Sequence, residues 1–437
     1  MSNFVFYDFE TSSSNKYWGQ IIQVGAVLTN ENLEELDRYE ARCRLSSGII
    51  PEAMALIVNK SSPKLLKGSN LSHYEMIREF VDKLKKWGKA TFIGFNSIEF
   101  DEEFLRCTLF QTLEYPYITS TNGNTRGDIL SLARAANLYY PKTLKNPINE
   151  KGNAVYKLDQ LAPLNGIKHD EAHSAISDVI ATLGIAKIIA KKAPNVWKAS
   201  QLTMDKSQSL DLIKNELYFC TNEYFYGKSR PYVQTFVCQH PQYQWPLCFD
   251  LKHDPNMYLK MPVKELALAL KKNPKFIRTI RHNKHPIIMN PSYGIEFDEY
   301  KTIGINKLSQ RAKQIKDDKN FAKKINIIKQ EEVDEKDQSK SQEDIYTEES
   351  IYKKFTSSED NKIMPEFHKA DWNKKMTILS KFKDERLKYF GKKLFYMEKP
   401  ELLSKSEFNL IHKDVAKKLL STNNENWNTI PRTYSEI

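Results

Sequence analysis

The sequence lacks the features that mark secreted, membrane-spanning and zinc-binding proteins. Its 437 residues include only five cysteines, which are scattered, without a C-x-x-C pair or a neighbouring histidine at zinc-ligand spacing. No apolar run approaches the ~18 residues of a transmembrane helix. The N-terminus, MSNFVFYDFE, carries Asp8 and lacks the basic stretch of a signal peptide. We therefore expect a cytoplasmic protein with reduced thiols and no membrane association.

Size and charge are more informative. The length predicts about three domains, and the formal net charge of +11 is unevenly distributed. Residues 1–200 contain 24 basic and 22 acidic side chains, residues 201–330 contain 22 and 12, residues 331–349 contain 2 and 9, and residues 350–437 contain 18 and 12. The surplus outside the N-terminal part is compatible with a polyanionic partner, although ordinary solvated lysines would produce the same surplus.

Hydrophobic periodicity divides the chain in the same way. Residues 1–200 predict an α/β domain of ribonuclease-H-like order, with three strands, a helix, a strand and further helices. The predicted elements are strands near Phe4–Phe9, Gln20–Leu28, Asp37–Leu45 and Thr91–Phe95, and helices near Tyr74–Trp87, Phe100–Leu113, Asp128–Leu138 and Glu171–Ala190. Residues 201–330 are rich in aromatics, which predicts a small β-rich domain with helices near Val263–Leu270 and Ser309–Ile328. The acidic residues 331–349 predict a solvated linker, and residues 350–437 predict an all-helical domain.

Acidic side chains stand at three places where a site could form. Asp8 and Glu10 are two residues apart in a strand, so both carboxylates leave one face of the sheet. The residues around them are apolar on both faces, which predicts a central strand and makes two adjacent carboxylates costly without a cation. An acidic pair at a frayed, exposed strand end is the alternative reading of this pattern.

Asp101 follows the strand near Phe95 and lies in the first turn of a helix, at the carboxyl end of a strand where open α/β sheets place their sites. A helix-terminal acid that only interacts with the helix dipole is the alternative.

In HDEAHSAISDVIAT, His173 and Asp178 are five residues apart, about 140° in projection along a helix. We therefore expect His173 at the helix entrance and Asp178 facing the sheet.

Taken together, these residues predict a metal-dependent hydrolytic site. Four carboxylates are hard oxygen ligands that suit two Mg²⁺ ions, or Mn²⁺ as a substitute, and do not suit zinc. A pair of such ions clamps a phosphodiester. His173 would accept the proton of the attacking water as general base, the commonest role of histidine in proton transfer near neutral pH.

The constellation Asp8-x-Glu10, Asp101 and His173-x4-Asp178 resembles the DEDDh group of 3′–5′ exonucleases. The segments FYDFET, GFNSIEFDEEF, TRGDILSLARA, LDQLAPLNGIKHDEAHSAISDVIAT and LKYFGKKLFY resemble, more specifically, the bacterial exonuclease I family. This resemblance implies an N-terminal ribonuclease-H-like exonuclease domain over 1–200, an SH3-like domain over 201–330 and a C-terminal helical domain over 350–437.

The resemblance also implies roles for single residues. The metal ligands would be Asp8, Glu10, Asp101 and Asp178, with His173 as the base. The residues that would contact substrate are Glu10, Thr11, Arg106, Tyr117, Arg134, Tyr156 and Lys157. The sequence departs from the family pattern at Gly127, at Lys157 where an Arg is common, and in the turn at 59–62, but at none of the five catalytic positions.

The implied function is processive 3′–5′ hydrolysis of single-stranded DNA to 5′-mononucleotides in DNA repair and recombination. The family also implies binding to the acidic C-terminal tail of single-stranded DNA-binding protein, and we expect a monomer. One alternative is an exoribonuclease or proofreading-type nuclease, since the same five residues serve both. Another is a catalytically inactive single-strand-binding protein, which the retention of all four acids disfavours.

Overall fold

The computed structural model describes residues 3–169, 173–339 and 345–436. The chain divides into two compact units: the first comprises residues 1–124, 169–183 and 344–437, and the second residues 125–168 and 184–343. Each unit combines separate stretches of the sequence. The domain boundaries predicted near residues 200, 330 and 350 divide the chain into continuous segments, and they remain predictions. None of the helices in the described ranges is long and apolar enough to span a membrane.

The first unit contains four strands in the order β3-β2-β1-β4. Their bounds are β1 Asn3–Thr11, β2 Ile21–Thr29, β3 Glu35–Arg42 and β4 Ala90–Gly94. β1 runs antiparallel to β2 and parallel to β4, and β2 runs antiparallel to β3. β1 and β2 are apolar on both faces and buried, whereas the charged β3 is largely exposed. The prediction of a central first strand is confirmed.

The helices of the first unit come from both ends of the sequence, and α3 and α4 among them contact these strands. They are α1 Ala53–Val58, α2 Pro63–Lys67, α3 His73–Trp87, α4 Asp101–Gln111, the first half of α7 Ala175–Lys192, α15 Ser358–Lys369, α16 Trp372–Leu379, α17 Glu385–Glu398, α18 Lys405–Leu419 and α19 Ile430–Glu436. α3 begins with a capping box between Ser72 and Glu75. α4 packs against α17 through Phe110 and Phe390, whose ring centroids are 5.2 Å apart. The hydrophobic core of the C-terminal helices is therefore continuous with that of α4.

The second unit contains a sheet in the order β10-β6-β7-β8-β9, antiparallel throughout. The strands of this sheet are β6 Phe219–Phe225, β7 Lys228–Gln239, β8 Pro246–Asp250, β9 Ile277–Thr279 and β10 Ile288–Met289. The second unit also contains β5 Thr125–Asp128, which is not part of this sheet. Its helices are α5 Ile129–Tyr139, α6 Leu158–Leu164, the second half of α7, α8 Pro194–Thr203, α9 Lys206–Asn215, α10 Val263–Lys271, α11 Ser292–Ile295, α12 Asp298–Lys301, α13 Ile305–Asp317 and α14 Lys319–Ser339. The strands predicted for the aromatic-rich part of the chain after residue 200 are present, as β6 to β10.

Residues 340–344 of the acidic segment 331–349 lie outside the described part of the chain, and the rest of the segment differs from the solvated linker that its composition predicts. Residues 331–339 continue α14, since Glu, Lys and Gln are good helix formers. A 3₁₀ helix, Thr347–Tyr352, begins in the last residues of the segment, and its Glu348 is only 2% exposed. Two lysines remote in sequence, Lys393 and Lys418, pair with that carboxylate. Long-range ion pairing therefore orders part of a segment that looks solvated by composition.

Candidate metal centre

The acidic pair of β1 follows the stretch in which that strand pairs with β4. The parallel pairing runs from Asn3 to Phe6, and Asp8 and Glu10 come directly after it. Because side chains alternate along a strand, both carboxylates point to the same face. On the other side of β1, Asp8 lies in register with Gly25 of β2. The pair therefore stands at the carboxyl end of the parallel strands, with both side chains on one face as the sequence predicts.

Gly25 allows α7 to approach β2 opposite Asp8. A Cβ atom at Gly25 would lie 2.5 Å from both the carbonyl carbon of Ala175 and the backbone nitrogen of Ile176. Only a residue without a side chain fits at this distance. α7 begins at Ala175, which places Asp178 in its first turn, and the close contact directs that turn toward β1.

The four predicted acids meet at this end of β1. Ligand oxygens of Asp8, Glu10 and Asp178 all lie within 4.8 Å of one another. Asp101, the first residue of α4, is 4% exposed, and its Oδ1 accepts a hydrogen bond of 3.1 Å from the backbone N–H of Phe9. This bond ties the fourth carboxylate to the backbone between Asp8 and Glu10.

Burial and mutual repulsion change the proton affinity of this cluster. Burial raises the pKa of Asp8 well above its ordinary value, and the charges of Asp101, Asp178 and Glu10 raise it further. Burial, followed by the charges of Asp178 and Asp101, raises the pKa of Glu10 to about 8, while Arg42 acts in the opposite direction. A divalent cation would relieve this repulsion, and a set of hard oxygen donors suits Mg²⁺ or Mn²⁺. The residues present therefore fit a divalent-metal centre.

A histidine that the sequence motif does not single out contacts this cluster. Nε2 of His169 lies 2.5 Å from Oδ1 of Asp178, and the His169 side chain is 1% exposed. Its Nδ1 is buried and has no hydrogen-bond partner among the described residues. The signal in the sequence is its spacing, four residues before His173 in the stretch KHDEAHSAISD.

His173 stands where the sequence places it, at the entrance of α7. It is half-buried, and its φ of 68° lies in the left-handed region. Its backbone N–H donates to the same Oδ1 of Asp178 at 3.3 Å. Residues 170–172 lie outside the described part of the chain. The role of His173 as general base stays a prediction.

Glu102 is a second residue that motif analysis misses. It is fully buried, and its carboxylate accepts hydrogen bonds from Tyr7 Oη at 3.1 Å and from Thr119 Oγ1 at 2.5 Å. It also pairs with Arg106, whose Nη2 lies 3.1 Å away. These bonds fix the first turn of α4 on β1 and thereby position Asp101. The helix-start run Asp-Glu-Glu is the only sequence signal, and it equally fits a simple dipole interaction.

The remaining substrate residues predicted in the first unit occupy two environments. Thr11 is 8% exposed, and its Oγ1 donates to the carbonyl of Ser13 at 2.9 Å. The Arg106 guanidinium lies 5.2 Å from the ring centroid of Tyr117, in the range of a cation–π contact. Arg106 therefore already interacts with carboxylates of its own helix and with an aromatic ring.

Three predicted substrate residues, Arg134, Tyr156 and Lys157, belong to the second unit. The Arg134 guanidinium carbon lies 4.0 Å from the ring centroid of Tyr224 and 5.9 Å from that of Tyr156. Lys157 is exposed and directly precedes α6. The structure thus adds Tyr224 of β6 to a basic and aromatic cluster. In the sequence, Tyr224 stands among many other aromatic residues, so nothing distinguishes it from the aromatic residues of a hydrophobic core.

Sequence comparison gives the first independent indication of what such a site does. Residues 5–186 match the family model described as Exonuclease. Exodeoxyribonuclease I of Buchnera aphidicola subsp. Acyrthosiphon pisum (strain APS) is 32% identical over 197 residues, which are 45% of this chain and 48% of that protein. The matched part therefore spans about half the length of this curated relative. The predicted resemblance to exonuclease I is confirmed.

Solved structures extend the likeness to the whole fold. A moderately thermophilic exonuclease I from Methylocaldum szegediense superposes with a TM-score of 0.83 at 19% identity, covering 100% of this chain and 94% of that chain. The zinc-bound form of an E. coli exonuclease I complex with single-stranded DNA gives a TM-score of 0.79 at 18% identity, covering 97% and 91%. The chain therefore has the fold of these enzymes, including the ribonuclease-H-like exonuclease domain.

Proposed function

We propose that this chain, with an exonuclease-family domain over residues 5–186, is a metal-dependent 3′–5′ exonuclease that releases 5′-mononucleotides from single-stranded DNA. The observation that carries the proposal is the meeting of Asp8, Glu10 and Asp178 within 4.8 Å, with Asp101 bonded to the same strand. The similarity to exodeoxyribonuclease I favours DNA as the substrate.

The donor set supports a site for two Mg²⁺ ions, with Mn²⁺ as a substitute. Asp8, Glu10, Asp101 and Asp178 would hold the metal. Bound there, the pair would supply Lewis-acid activation of a water molecule and stabilisation of charge on the leaving 3′ oxygen.

The chain's own side chains would do the remaining work. His173 would accept the proton of the attacking water, since it stands at the entrance of α7 next to Asp178. His169 would orient the Asp178 carboxylate through its hydrogen bond at Nε2. Both roles follow from position. His169 is buried against Asp178, and His173 lies just before the first residue of α7, the helix that carries Asp178.

Binding of the strand is assigned to residues with charge or an aromatic face. Thr11 would lie beside the terminal nucleotide. Arg106, Arg134 and Lys157 would neutralise phosphates, and Tyr117 and Tyr156 would stack on bases. Residues 201–330, proposed as an SH3-like module with a surplus of ten positive charges, would add to processivity and could accept the acidic tail of single-stranded DNA-binding protein. Family resemblance further suggests a cytoplasmic monomer acting in DNA repair.

A gel time course tests the proposal. Single-stranded DNA, duplex DNA and single-stranded RNA, each labelled at the 5′ or the 3′ end, are incubated with Mg²⁺ or EDTA. Early release of the 3′ label as a mononucleotide, only from single-stranded DNA and only with metal, is the expected result. Preferential loss of RNA would instead indicate an exoribonuclease, and tight binding without cleavage would indicate a binding protein.

Asp178→Ala provides the variant for the same gels. It should abolish cleavage while leaving DNA binding largely intact. Asp211→Ala, at an exposed position of α9, is the matched control and should cleave like the wild type. Survival of most activity in Asp178→Ala would refute the metal-centre assignment.

A further inference from the structure

The loop between β1 and β2, residues 12–20, begins directly after the acidic pair of the candidate metal centre. Glu10 lies in register with Gln23, but Thr11 lies in register with Ile21, so the pairing of the two strands shifts by one residue after Glu10. At such an irregularity the ladder is locally disrupted and the strand bends. The position of Thr11 therefore depends on what holds the loop.

Hydrogen bonds tie the start of this loop to its end. The backbone N–H of Ser12 donates to the carbonyl of Gln20 at 2.8 Å, and Oγ of Ser12 accepts the backbone N–H of Gln20 at 2.9 Å. Oγ1 of Thr11 donates to the carbonyl of Ser13 at 2.9 Å. Because of these bonds, a displacement of the loop is transmitted to Thr11 and to the end of β1.

Trp18, near the far end of the loop, packs against the C-terminal region of the first unit. Its ring centroid lies 4.5 Å from that of Trp427 and 5.4 Å from that of Tyr346, and Nζ of Lys418 lies 5.2 Å from its ring. Its Nε1 donates to Oε1 of Glu349 at 2.9 Å. Two aromatic rings, a cation and a carboxylate thus contact a single indole.

The residues that receive this indole are themselves held in place. Trp427 is 8% exposed, its Nε1 donates to the carbonyl of Lys418 at 3.0 Å, and its ring centroid lies 5.1 Å from that of Tyr346. Lys418 pairs with Glu348 at 3.3 Å and with Asp414 at 3.0 Å. The surface on which the indole packs is therefore ordered by its own contacts.

A second contact joins the loop to the same region. Nδ2 of Asn15 donates to the carbonyl of Asn426 at 2.7 Å, and Nδ2 of Asn426 donates to Oε1 of Glu349 at 3.1 Å. This is the oxygen that accepts the indole N–H of Trp18. The ring contact and the amide contact therefore converge on one carboxylate.

α4 holds the middle of the loop. Lys16 pairs with Glu103 at 2.7 Å, and the carbonyl of Tyr17 accepts a hydrogen bond of 2.9 Å from Nε2 of Gln111. α4 also carries one of the four acids at its first residue. The loop thus connects the two elements β1 and α4, which bear three of those acids, and Trp18 joins it to the C-terminal region.

We propose that Trp18 is a positioning residue for the candidate metal centre. Packed on the C-terminal region, it fixes the loop and, through the loop, the positions of Thr11 and Glu10. The inference rests on the proposed function, and it requires no contact of Trp18 with substrate or metal. A displacement of about 1 Å at a catalytic site can lower the rate about a hundredfold, so the docking of one side chain would control the activity.

Cleavage of single-stranded DNA in a single turnover, with saturating protein and Mg²⁺, tests this role. Trp18→Ala should cleave about 10- to 100-fold more slowly than the wild type, while its affinity for the same DNA in EDTA stays within about twofold. Trp18→Phe keeps a ring against Trp427 but loses the bond to Glu349, and it should recover most of the rate.

Trp427→Ala removes the same contact from its other side and should show the same defect. The double variant with Trp18→Ala should be no slower than the slower single variant, because both changes remove one interaction. If Trp18→Ala does not fold, Trp427→Ala and Trp18→Phe carry the test.

Trp87→Ala is the matched control. Trp87 is also half-buried in the first unit, its Nε1 donates to Oδ2 of Asp37 at 2.8 Å, and Nζ of Lys83 lies 5.5 Å from its ring centroid. It is the last residue of α3, and its carboxylate partner belongs to β3. Trp87→Ala should lower the urea concentration of unfolding, as Trp18→Ala does, but should cleave at the wild-type rate.

Amide hydrogen exchange gives a readout that does not depend on cleavage. Residues 12–20 should exchange faster in Trp18→Ala than in the wild type, and at the wild-type rate in Trp87→Ala. A wild-type cleavage rate in Trp18→Ala, or equal losses of rate in the two alanine variants, would overturn the positioning role. Failure of the wild type to cleave with Mg²⁺ would instead reject the proposed function, and the exchange rates would still show whether Trp18 holds the loop.

Discussion

His169 Nε2 and Asp178 Oδ1 lie 2.5 Å apart, and the histidine ring is almost completely buried. The same oxygen also accepts the backbone N–H of His173. Two histidines thus contact the same oxygen of Asp178, His169 through its ring nitrogen Nε2 and His173 through its backbone nitrogen. The two residues are therefore expected to have different roles, with His169 orienting the acid and the ring of His173 available for proton transfer.

Replacing each histidine with alanine should separate these roles. His169→Ala should lower the single-turnover cleavage rate about 10- to 100-fold and raise the Mg²⁺ concentration required, because the Asp178 carboxylate loses its orientation. His173→Ala should lower the rate about 10²- to 10⁴-fold without changing the Mg²⁺ requirement. Rates measured across a Mg²⁺ titration check both. A His169→Ala variant with wild-type rate and metal dependence would contradict the positioning role.

Glu10 should destabilise the metal-free protein at neutral and alkaline pH. Its pKa is about 8 in the folded state against 4.5 ordinarily, so the folded protein holds the proton more tightly. The free energy of unfolding therefore decreases as pH rises from about 4.5 to about 8. In EDTA at pH 8, Glu10→Gln should unfold at a higher temperature than the wild type, and this difference should vanish below pH 4.5. Calorimetry across this range is the measurement, and a less stable variant at pH 8 would refute the argument.

Gly25→Ala should disrupt the site without removing a polar group. The added methyl would collide with the backbone at Ala175 and Ile176, so α7 must shift away from β2. We expect a loss of ~1–3 kcal/mol in the free energy of unfolding and a large loss of cleavage. Gly68→Ala is the control: its φ of −80° is ordinary and the nearest atom would be 3.4 Å away. Urea unfolding and single-turnover cleavage of both variants test this, and equal behaviour would contradict it.

Glu348 should make the first unit sensitive to acid. Burial raises the pKa of Glu348, but the charges of Lys393 and Lys418, with hydrogen bonds from Lys393 and Tyr389, outweigh it and lower the pKa to about 2. Because the folded-state pKa lies below the ordinary value of 4.5, its stabilising contribution is complete above pH 4.5 and is lost as pH falls toward 2. Glu348→Gln should cost about 2 kcal/mol at pH 7, since it leaves partly buried lysines unpaired. Urea unfolding should show the two proteins converging at low pH, and a constant difference would argue against the ion pair.

The backbone around the candidate metal centre could be predicted from local pattern. The apolar run around Asp8 and Glu10 predicts a buried strand, and the helix start at Asp101 follows from the change of period after β4. The entrance position of His173 follows from helix geometry alone. Each of these inferences depends on residues close in sequence, where periodicity carries the information.

Contacts between residues far apart in sequence could not be predicted in this way. The bond of Glu102 to Tyr7 depends on the side-chain packing of α4 on β1, and the burial of Glu348 depends on lysines of α17 and α18. His169 and Asp178 are nine residues apart, and no periodic pattern predicts that their side chains meet. Hydrophobic periodicity predicts a single helix where the structure has α13 and α14. Asp318 separates the two helices, and its side chain accepts a hydrogen bond of 2.8 Å from the backbone N–H of Phe321.

The packing of Phe110 on Phe390 has a consequence for synthesis of the chain. α4 carries Asp101 at its first residue, and part of its buried face packs against residues made some 280 positions later. At ribosomal rates of about 5–20 residues per second, that face stays uncovered for roughly 14 to 56 seconds on the nascent chain. The proposed nuclease activity would therefore reach its full level only after the C-terminal helices have been synthesised.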